Sequence, residues 1–367
     1  MNILFWGTPA YAVASLNALV AAGHRLVGVV SQPDRRRGRG KQLQASPVKA
    51  RALELGIPVF TPERIRRDLD CQAQLRELAA DVYVVVAFGQ ILPAAVLAQP
   101  AYGCWNGHGS LLPRWRGAGP IQWCLIEGDS QSGVGIMAME EGLDTGPVLV
   151  EQAIPIGLRD NAQQLAERLA SLTGSLLVQA MPLIEAAGPG PEAERLARLG
   201  VRAQGEQGIT YARMLHKDDY QIDWSASALT IHRQVMGLYP GAHSFWRGKR
   251  LKLLDSEPLV TRLGSQLSPE AAELAQRWAA LNANQAAPGL LGGAQLAESD
   301  QAGKKSAGQV LEVAEGVGLV VATGGCPLLI RSAQLEGKQV ASGSILLQQL
   351  DPAAGDQLGQ QPNKATE

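Results

Sequence analysis

The sequence predicts an α/β domain built on a doubly wound, mostly parallel sheet, followed by a small β-barrel. Three observations carry this prediction. Short apolar runs without polar alternation recur through the first half, which places them in strands covered on both faces. Helix-like segments separate those runs, giving strand, helix, strand repetition. Near residue 188 the pattern gives way to closely spaced strand-like pieces after Gly188-Pro189-Gly190-Pro191.

Residues 3–6 read as the first buried strand and residues 12–22 as a helix closed by Gly23. Residues 26–31 read as the second strand, and residues 48–55 as a helix with Gly56 as its stop. Residues 81–88, containing Val82-Tyr83-Val84-Val85-Val86, read as a third. A sheet of this kind binds ligands in a crevice at the carboxyl ends of its strands. Beyond the expected linker at 189–207, strand-like pieces lie at 242–246, 250–254, 308–313, 318–323 and 328–333. The domain boundaries expected are therefore 1–188 and 208–350. An Ala/Gln/Gly/Ser-rich insertion occupies about 264–307. It opens with a helix at 269–281 and continues as a flexible stretch. The polar tail 351–367 is expected to be disordered.

The 367 residues carry a formal net charge of −1, so nucleic-acid binding, if present, must come from local patches. The four cysteines, Cys71, Cys104, Cys124 and Cys326, show neither CxxC pairing nor Cys/His ligand spacing. That argues against a metal site and a disulfide framework. No basic leader, transit segment or apolar stretch of about 18 residues is seen. The expectation is a cytoplasmic protein with no membrane partner, acting as a monomer.

The informative segment runs from Asn106 to Gln122: Asn-Gly-His-Gly-Ser-Leu-Leu-Pro-Arg-Trp-Arg-Gly-Ala-Gly-Pro-Ile-Gln. It follows a strand-like piece at 103–105, where the crevice should open. Asn106 and His108, two apart on an extended strand, share a face. The histidine can carry a proton near neutral pH. The asparagine amide can donate to an oxygen that gains negative charge. Together they suit attack of an amine on a carbonyl. Gly107 and Gly109 leave room for close approach. By pattern alone, a strand-end histidine is more often a satisfied structural group. The Gly7-Thr8-Pro9 turn does not match GxGxxG, so a dinucleotide site is poorly supported.

These blocks, followed by Gly142-Leu143-Asp144-Thr145-Gly146 with Asp144 36 positions beyond His108, resemble the folate-dependent formyltransferase family. Gly7-Thr8-Pro9, Gln32-Pro33-Asp34, Ser46-Pro47-Val48-Lys49 and Phe88-Gly89-Gln90-Ile91-Leu92-Pro93 agree with it. The resemblance covers nearly all of residues 1–255 and resumes weakly at 308–350. It implies a Rossmann-like formyltransferase domain with an OB-like barrel after it. Asn106 would stabilise the oxyanion, His108 would move the proton, and Asp144 would hold the protonated imidazole. Ser110, Leu111, Leu112 and Pro113, with Phe88, Gly89, Ile91 and Leu92, would form the folate site. The co-substrate implied is 10-formyltetrahydrofolate, with no metal. Trp105, Gly107 and Gly119 depart from the family pattern, in packing rather than in reacting groups.

The acceptor amine needs separate signals. Residues 35–41 hold five cations in seven positions. Such a run suits phosphate contacts as well as a solvated loop. In tRNA-acting members of the family a similar basic loop enters the acceptor stem. The resemblance therefore assigns Arg36, Arg37, Arg39 and Lys41 to tRNA. Arg247, Lys249 and Arg250, with Lys252 beside Trp246, would add a positive face in the second domain. Together these imply transfer of the formyl group to methionyl initiator tRNA. The alternatives are an amino-sugar nucleotide as acceptor, or a non-catalytic folate- or RNA-binding relative.

Overall fold

The computed structural model describes residues 1–37, 42–285 and 306–360. The chain folds into two compact units. One comprises Met1–Trp123, Ser130–Pro155 and Gln164–Met214; the other comprises Cys124–Asp129, Ile156–Gln163 and the chain from Leu215 onward.

The first unit is built on a seven-stranded sheet. Its strands are β1 (Asn2–Gly7), β2 (Arg25–Val30), β3 (Val59–Phe60), β4 (Val82–Val86), β5 (Cys104–His108), β6 (Gln131–Ala138) and β7 (Val148–Pro155). Their order is β7-β6-β5-β4-β1-β2-β3. β1 to β5 pair parallel, whereas β6 and β7 join antiparallel. From β1 the chain steps outward to β2 and β3. It then returns to the other side of β1 for β4 and β5. The crevice therefore opens between the carboxyl ends of β1 and β4, where the strand order reverses.

Ile3, Leu4, Phe5 and Trp6 are fully buried because both faces of β1 are covered. Leu4 and Trp6 pack with Tyr83, Val85, Cys71 and Leu75 in one cluster. Helix α1 (Ala10–Ala21) follows β1, and α2 (Pro47–Glu54) follows β2. Ser46 caps α2 by accepting from the Lys49 amide, and Pro47 sits in its first turn, where a missing N–H costs nothing. Gly56 ends it at φ 68°, as its position predicts. Helix α3 (Leu69–Glu77) starts on an Asp68 cap.

Helix α4 (Ala162–Ala187) departs from the sequence reading, which found no apolar stretch of membrane-spanning length. It is long and apolar enough by composition, yet half of its most apolar window is buried inside the fold. Leu165, Leu169, Leu176, Leu177, Ala180 and Ile184 recur at helical spacing and are all buried. Glu167 and Arg168 interrupt the run in the sequence, which hides it from a linear scan.

Residues 189–207, expected as a linker, hold α5 (Glu192–Leu199), with Arg195 buried and its Nη1 donating to the Tyr102 carbonyl at 2.7 Å. Further along, Arg202 bridges Val148, and Tyr211–Ala212 pairs with Arg116–Gly117. The Gly/Pro start of this stretch reads as a linker because four helix breakers adjoin, but they only separate two helices.

The second unit is an antiparallel sheet of β8 (His243–Trp246), β9 (Lys249–Pro258), β10 (Val310–Ala314), β11 (Gly318–Val321), β12 (Leu328–Leu335) and β13 (Ala341–Ser342). The order is β8-β9-β12-β11-β10, with β13 on β12. Helices α6 (Ala228–Gly237) and α8 (Gly343–Leu350) contribute Ile231, Val235, Leu346 and Leu350 to its core. Between them in sequence, α7 (Pro269–Gln285) buries Ala271, Leu274, Ala275 and Trp278 against Leu259, Val320 and Leu329. The first part of the insertion is thus packed structure. Its remainder, 286–305, lies outside the described residues.

The tail is a correction. Residues 351–360 are ordered, because Asp351 closes α8 at φ 45° and Leu358 enters the core. Leu358 bridges Trp246 on β8 and Gln357 bridges Gln309 beside β10. This segment therefore spans the two edge strands and closes the ring that β8 and β10 would leave open. One apolar residue among polar neighbours gives no compositional signal of that role. Residues 361–367 lie outside the described residues.

Candidate active site

Strand β5 carries the first two groups. Asn106 pairs in register with Val85 of β4 and Met137 of β6, and His108 pairs with Gly135. The strand period turns Gly107 the other way. A Cβ there would stand 2.5 Å from the Thr173 methyl group of α4. Gly107 is therefore required by helix packing as well as by the cavity it lines, which corrects its assignment to substrate access alone.

Three polar side chains converge at the end of β5. Asn106 Nδ2 donates to Asp144 Oδ1 at 3.4 Å. Asp144 Oδ2 accepts from the Gly117 amide at 2.8 Å and faces His108 Nδ1 at 3.7 Å. His108 Nε2 lies 3.0 Å from the Trp115 carbonyl. A carbonyl can only accept, so Nε2 carries the proton and Nδ1 holds the lone pair of the neutral ring. A proton arriving at Nδ1 would make an imidazolium beside the Asp144 carboxylate. The second N–H of the Asn106 amide remains to serve an oxygen in the cavity.

Asp144 sits at φ 52°, a left-handed conformation that aspartate tolerates better than most residues. Gln204 holds it there. Its Nε2 donates to the carbonyls of Asp144 and Gly146 at 2.8 and 2.7 Å. Its Oε1 accepts from Nε and Nη2 of the buried Arg116 at 3.0 and 2.8 Å. Trp115, at φ 63°, is pinned by its amide donating to Thr210 Oγ1 at 2.9 Å. Sequence reasoning missed Gln204 and Thr210, which lie in polar loop sequence. It named Arg116 and Trp115 only as parts of the motif.

These groups open on a cavity of about 450 Å³. Phe88, Gly89, Ile91 and Leu92, four of the residues named for the folate site, form one wall, and residues 139–144 form another. Ile91 and Leu143 are largely exposed at its rim, the kind of apolar edge that a flat ring system covers. The other four folate positions do not line it. Ser110 and Leu112 are buried, and Ser110 Oγ donates to the Arg114 carbonyl at 2.6 Å. Leu111 and Pro113 are half-buried on either side of Leu112, and the Leu111 carbonyl accepts from the Arg114 amide at 3.1 Å.

Tyr11 also lines the cavity. Burial pushes its phenol up to about 12, so it stays protonated and is no base at neutral pH. Burial likewise pushes the Cys104 thiol far up, which leaves it inert as a nucleophile. Among the described residues no group of three or more His, Cys, Asp or Glu is placed to hold a metal ion.

Of the cationic positions, Arg36 is exposed on a hairpin formed by Arg35–Arg37 and Gln42–Gln44, and Arg37 belongs to the same hairpin strand. Arg39 and Lys41 lie outside the described residues. Lys249 and Arg250 are exposed on β9. Arg247 instead stacks on Trp246 and donates to the Asp351 carbonyl at 2.9 Å and to Asp356 Oδ2 at 3.1 Å. It fastens the closing segment of the ring, a structural use the cluster reading did not anticipate.

Residues 1–181 match the model described as "Formyl transferase", and residues 214–350 match "Formyl transferase, C-terminal domain". A protein of Synechococcus sp. strain RCC307 described as "Methionyl-tRNA formyltransferase" is 62% identical over 352 residues, 95% of this chain and 100% of the relative. One of the same description from strain WH7803 is 63% identical over 359 residues, 98% of each. Among solved structures, WlaRD, a sugar 3N-formyl transferase, superposes with a TM-score of 0.56 at 16% identity, over 92% of this chain and 99% of that one. HypX of Aquifex aeolicus in complex with tetrahydrofolic acid gives 0.53 at 15%, over 100% of this chain and 50% of that one. At those identities the likeness shows the fold alone. The matched models and the relatives aligned over nearly their full length, around a site built from Asn106, His108 and Asp144, place this chain in the formyltransferase family.

Proposed function

We propose that this protein moves the formyl group of 10-formyltetrahydrofolate onto the free amine of methionyl initiator tRNA, giving N-formylmethionyl-tRNA for translation initiation. The observation that carries the chemistry is the His108 ring, which lines the cavity with its Nε2 proton committed to the Trp115 carbonyl and its Nδ1 lone pair facing Asp144. The relatives' shared description carries the acceptor. It also disfavours the amino-sugar nucleotide and the non-catalytic readings.

In this reading the methionyl amine attacks the formyl carbon. Asn106 donates to the oxygen as it gains charge. His108 Nδ1 takes the amine proton, and Asp144 stabilises the imidazolium. His108 then returns that proton to the departing folate nitrogen as the carbon–nitrogen bond breaks. The folate ring system occupies the cavity against Phe88, Gly89, Ile91 and Leu92. Ser110, Leu111, Leu112 and Pro113 act indirectly, by setting the loop that orients His108. The tRNA is met by Arg36, Arg37, Arg39 and Lys41, and by Lys249 and Arg250 of the segment 208–350. One copy carries every group of the site, so a monomer suffices, and a role in translation places it in the cytoplasm.

The test is transfer of labelled formyl from 10-formyltetrahydrofolate, with methionyl initiator tRNA, free methionine and an amino-sugar nucleotide as parallel acceptors. Transfer to the charged tRNA alone is expected, with an apparent affinity that falls steeply with salt. Transfer to the sugar and not to the tRNA would overturn the acceptor while keeping the chemistry.

A further inference from the structure

A second cavity adjoins the reaction cavity. It measures about 300 Å³ and shares Pro9, Ala87, Phe88 and Gly89 with it. Among the described residues its remaining lining is polar and carries no carboxylate: Thr8, Gln32, Arg35, Gln44 and Ser46, with Pro33. The nearest acid in sequence, Asp34, is neutralised by Lys49, whose Nζ lies 2.8 and 2.9 Å from its oxygens. Gln32 gives one amide N–H to the Phe88 carbonyl at 3.2 Å, so its carbonyl oxygen and its second N–H are left to bind. Arg35 is exposed on the hairpin strand and is the one cation of the lining among the described residues.

The chemistry of an aminoacyl ester says what must lie beside the reaction cavity. Three bonds separate the reacting amine from the ribose oxygen that carries the methionyl group. The ribose therefore sits within roughly 4 Å of the amine, and its 5′-phosphate one sugar further out. Two described cavities border the reaction cavity. The other, of about 440 Å³, shares Met139, Glu140 and Glu141, and adds Glu192. Its one cation, Arg195, is buried and bound to the carbonyls of Tyr102 and Gly190. Three carboxylates there repel a phosphate, whereas the Arg35 cavity presents a cation and hydrogen-bonding groups.

Resting on the tRNA reading above, we propose that the Arg35 cavity is the subsite for the terminal nucleotide of the acceptor. Arg35 takes its 5′-phosphate, and Gln44, Gln32 and Thr8 line the space for its ribose. This assignment separates Arg35 from the rest of the basic run. Arg35 reads the nucleotide next to the chemistry, while the following cations meet the stem.

The test uses the full-length protein and Arg35→Ala combined with Gln44→Ala. Three quantities are measured: kcat/KM for methionyl-tRNA, KM for 10-formyltetrahydrofolate, and competitive inhibition by the amide analogue of methionyl-adenosine with and without a 5′-phosphate. In the wild type the phosphate should strengthen inhibition about tenfold, the scale of one charge-assisted contact. In the variant that gain should vanish, kcat/KM for methionyl-tRNA should fall about tenfold, and the folate KM should hold. The subsite is overturned if the wild type ignores the phosphate or the analogue. It is also overturned if the variant loses tRNA while keeping the phosphate effect, which would return Arg35 to the stem contacts. A wild type that formylates an amino-sugar nucleotide and not methionyl-tRNA refutes the underlying reading instead, and does so before any variant is made.

Discussion

Two buried histidines differ in how their ring nitrogens are used. His108 ends a strand of the first unit, and His232 lies on α6 of the second; both are nearly inaccessible. His232 has both ring nitrogens occupied: Nε2 bonds the Leu158 carbonyl at 2.8 Å and Nδ1 meets Ser256 Oγ at 3.2 Å. His108 has only Nε2 so committed. Its Nδ1 looks across 3.7 Å at the Asp144 carboxylate, too far for a hydrogen bond. Burial does not distinguish the two rings. What separates them is whether a ring nitrogen has been left without a bonded partner.

The largest expected effect follows directly. His108→Ala, and likewise Asn106→Ala, should lower kcat by roughly two to four powers of ten, the range for a lost acid/base or oxyanion group. His232→Ala should leave the turnover of folded enzyme near normal. Single-turnover formyl transfer on the three purified variants reads this. Comparable losses at 108 and 232 would erase the distinction.

Next comes the carboxylate. Asp144→Asn keeps the shape, keeps an oxygen for the Gly117 amide and tolerates φ 52°. It removes only the charge facing His108. We expect kcat to fall about a hundredfold, within the range for a proton-transfer group, with little change in folate KM. A loss in KM alone would make Asp144 part of the folate wall rather than a partner of the ring.

Gln204→Leu is expected to cost less, about tenfold in kcat, as for a lost hydrogen-bond network of modest net strength. Arg116 would lose its acceptor, and the carbonyls of Asp144 and Gly146 their donor. Because residues 140–144 also line the cavity, folate KM should rise as well. A variant with unchanged kcat and KM would show that the Asp144 loop holds its own shape. Gln204→Glu, which keeps an acceptor for Arg116 but offers no amide N–H to the two carbonyls, separates the two halves of the clamp.

The same comparison explains what could be read from the sequence. The parallel strands were legible because their apolar runs lack alternation, and the helix stops because Gly23 and Gly56 have the positive φ that their positions demand. Asn106 and His108 were legible as one face of a strand. That the ring at 108 keeps a nitrogen without a bonded partner while the one at 232 is saturated was not, since the deciding partners, Trp115, Leu158 and Ser256, are distant backbone and hydroxyl groups. Gln204 reaches Asp144 across 60 positions, and polar loop sequence carries no period to reveal it. Leu358 and Arg247 close the second sheet through contacts with partners about a hundred positions away. Composition read the first as tail and the second as RNA face.

The smallest expected effect belongs to His232 and appears in stability rather than rate. Burial holds its pKa below the ordinary 6.5, with hydrogen bonding from Leu158 and Ser256 only partly opposing. The neutral ring therefore belongs to the fold, while the unfolded chain takes up a proton near pH 6.5. The stability this histidine contributes is complete above 6.5 and is lost as pH falls from there toward the folded value. His243, held low by burial, and Asp255, held high by burial, add their own pH dependence in the same unit, so the readout is a difference between proteins. His232→Gln keeps one donor and one acceptor without a titrating ring. Thermal unfolding from pH 7.5 down to 5 should show the wild type losing stability faster than this variant below 6.5, with the two curves parallel above it. Parallel curves throughout would mean that His232 accepts its proton in place, leaving no difference between the folded and unfolded chain for pH to act on.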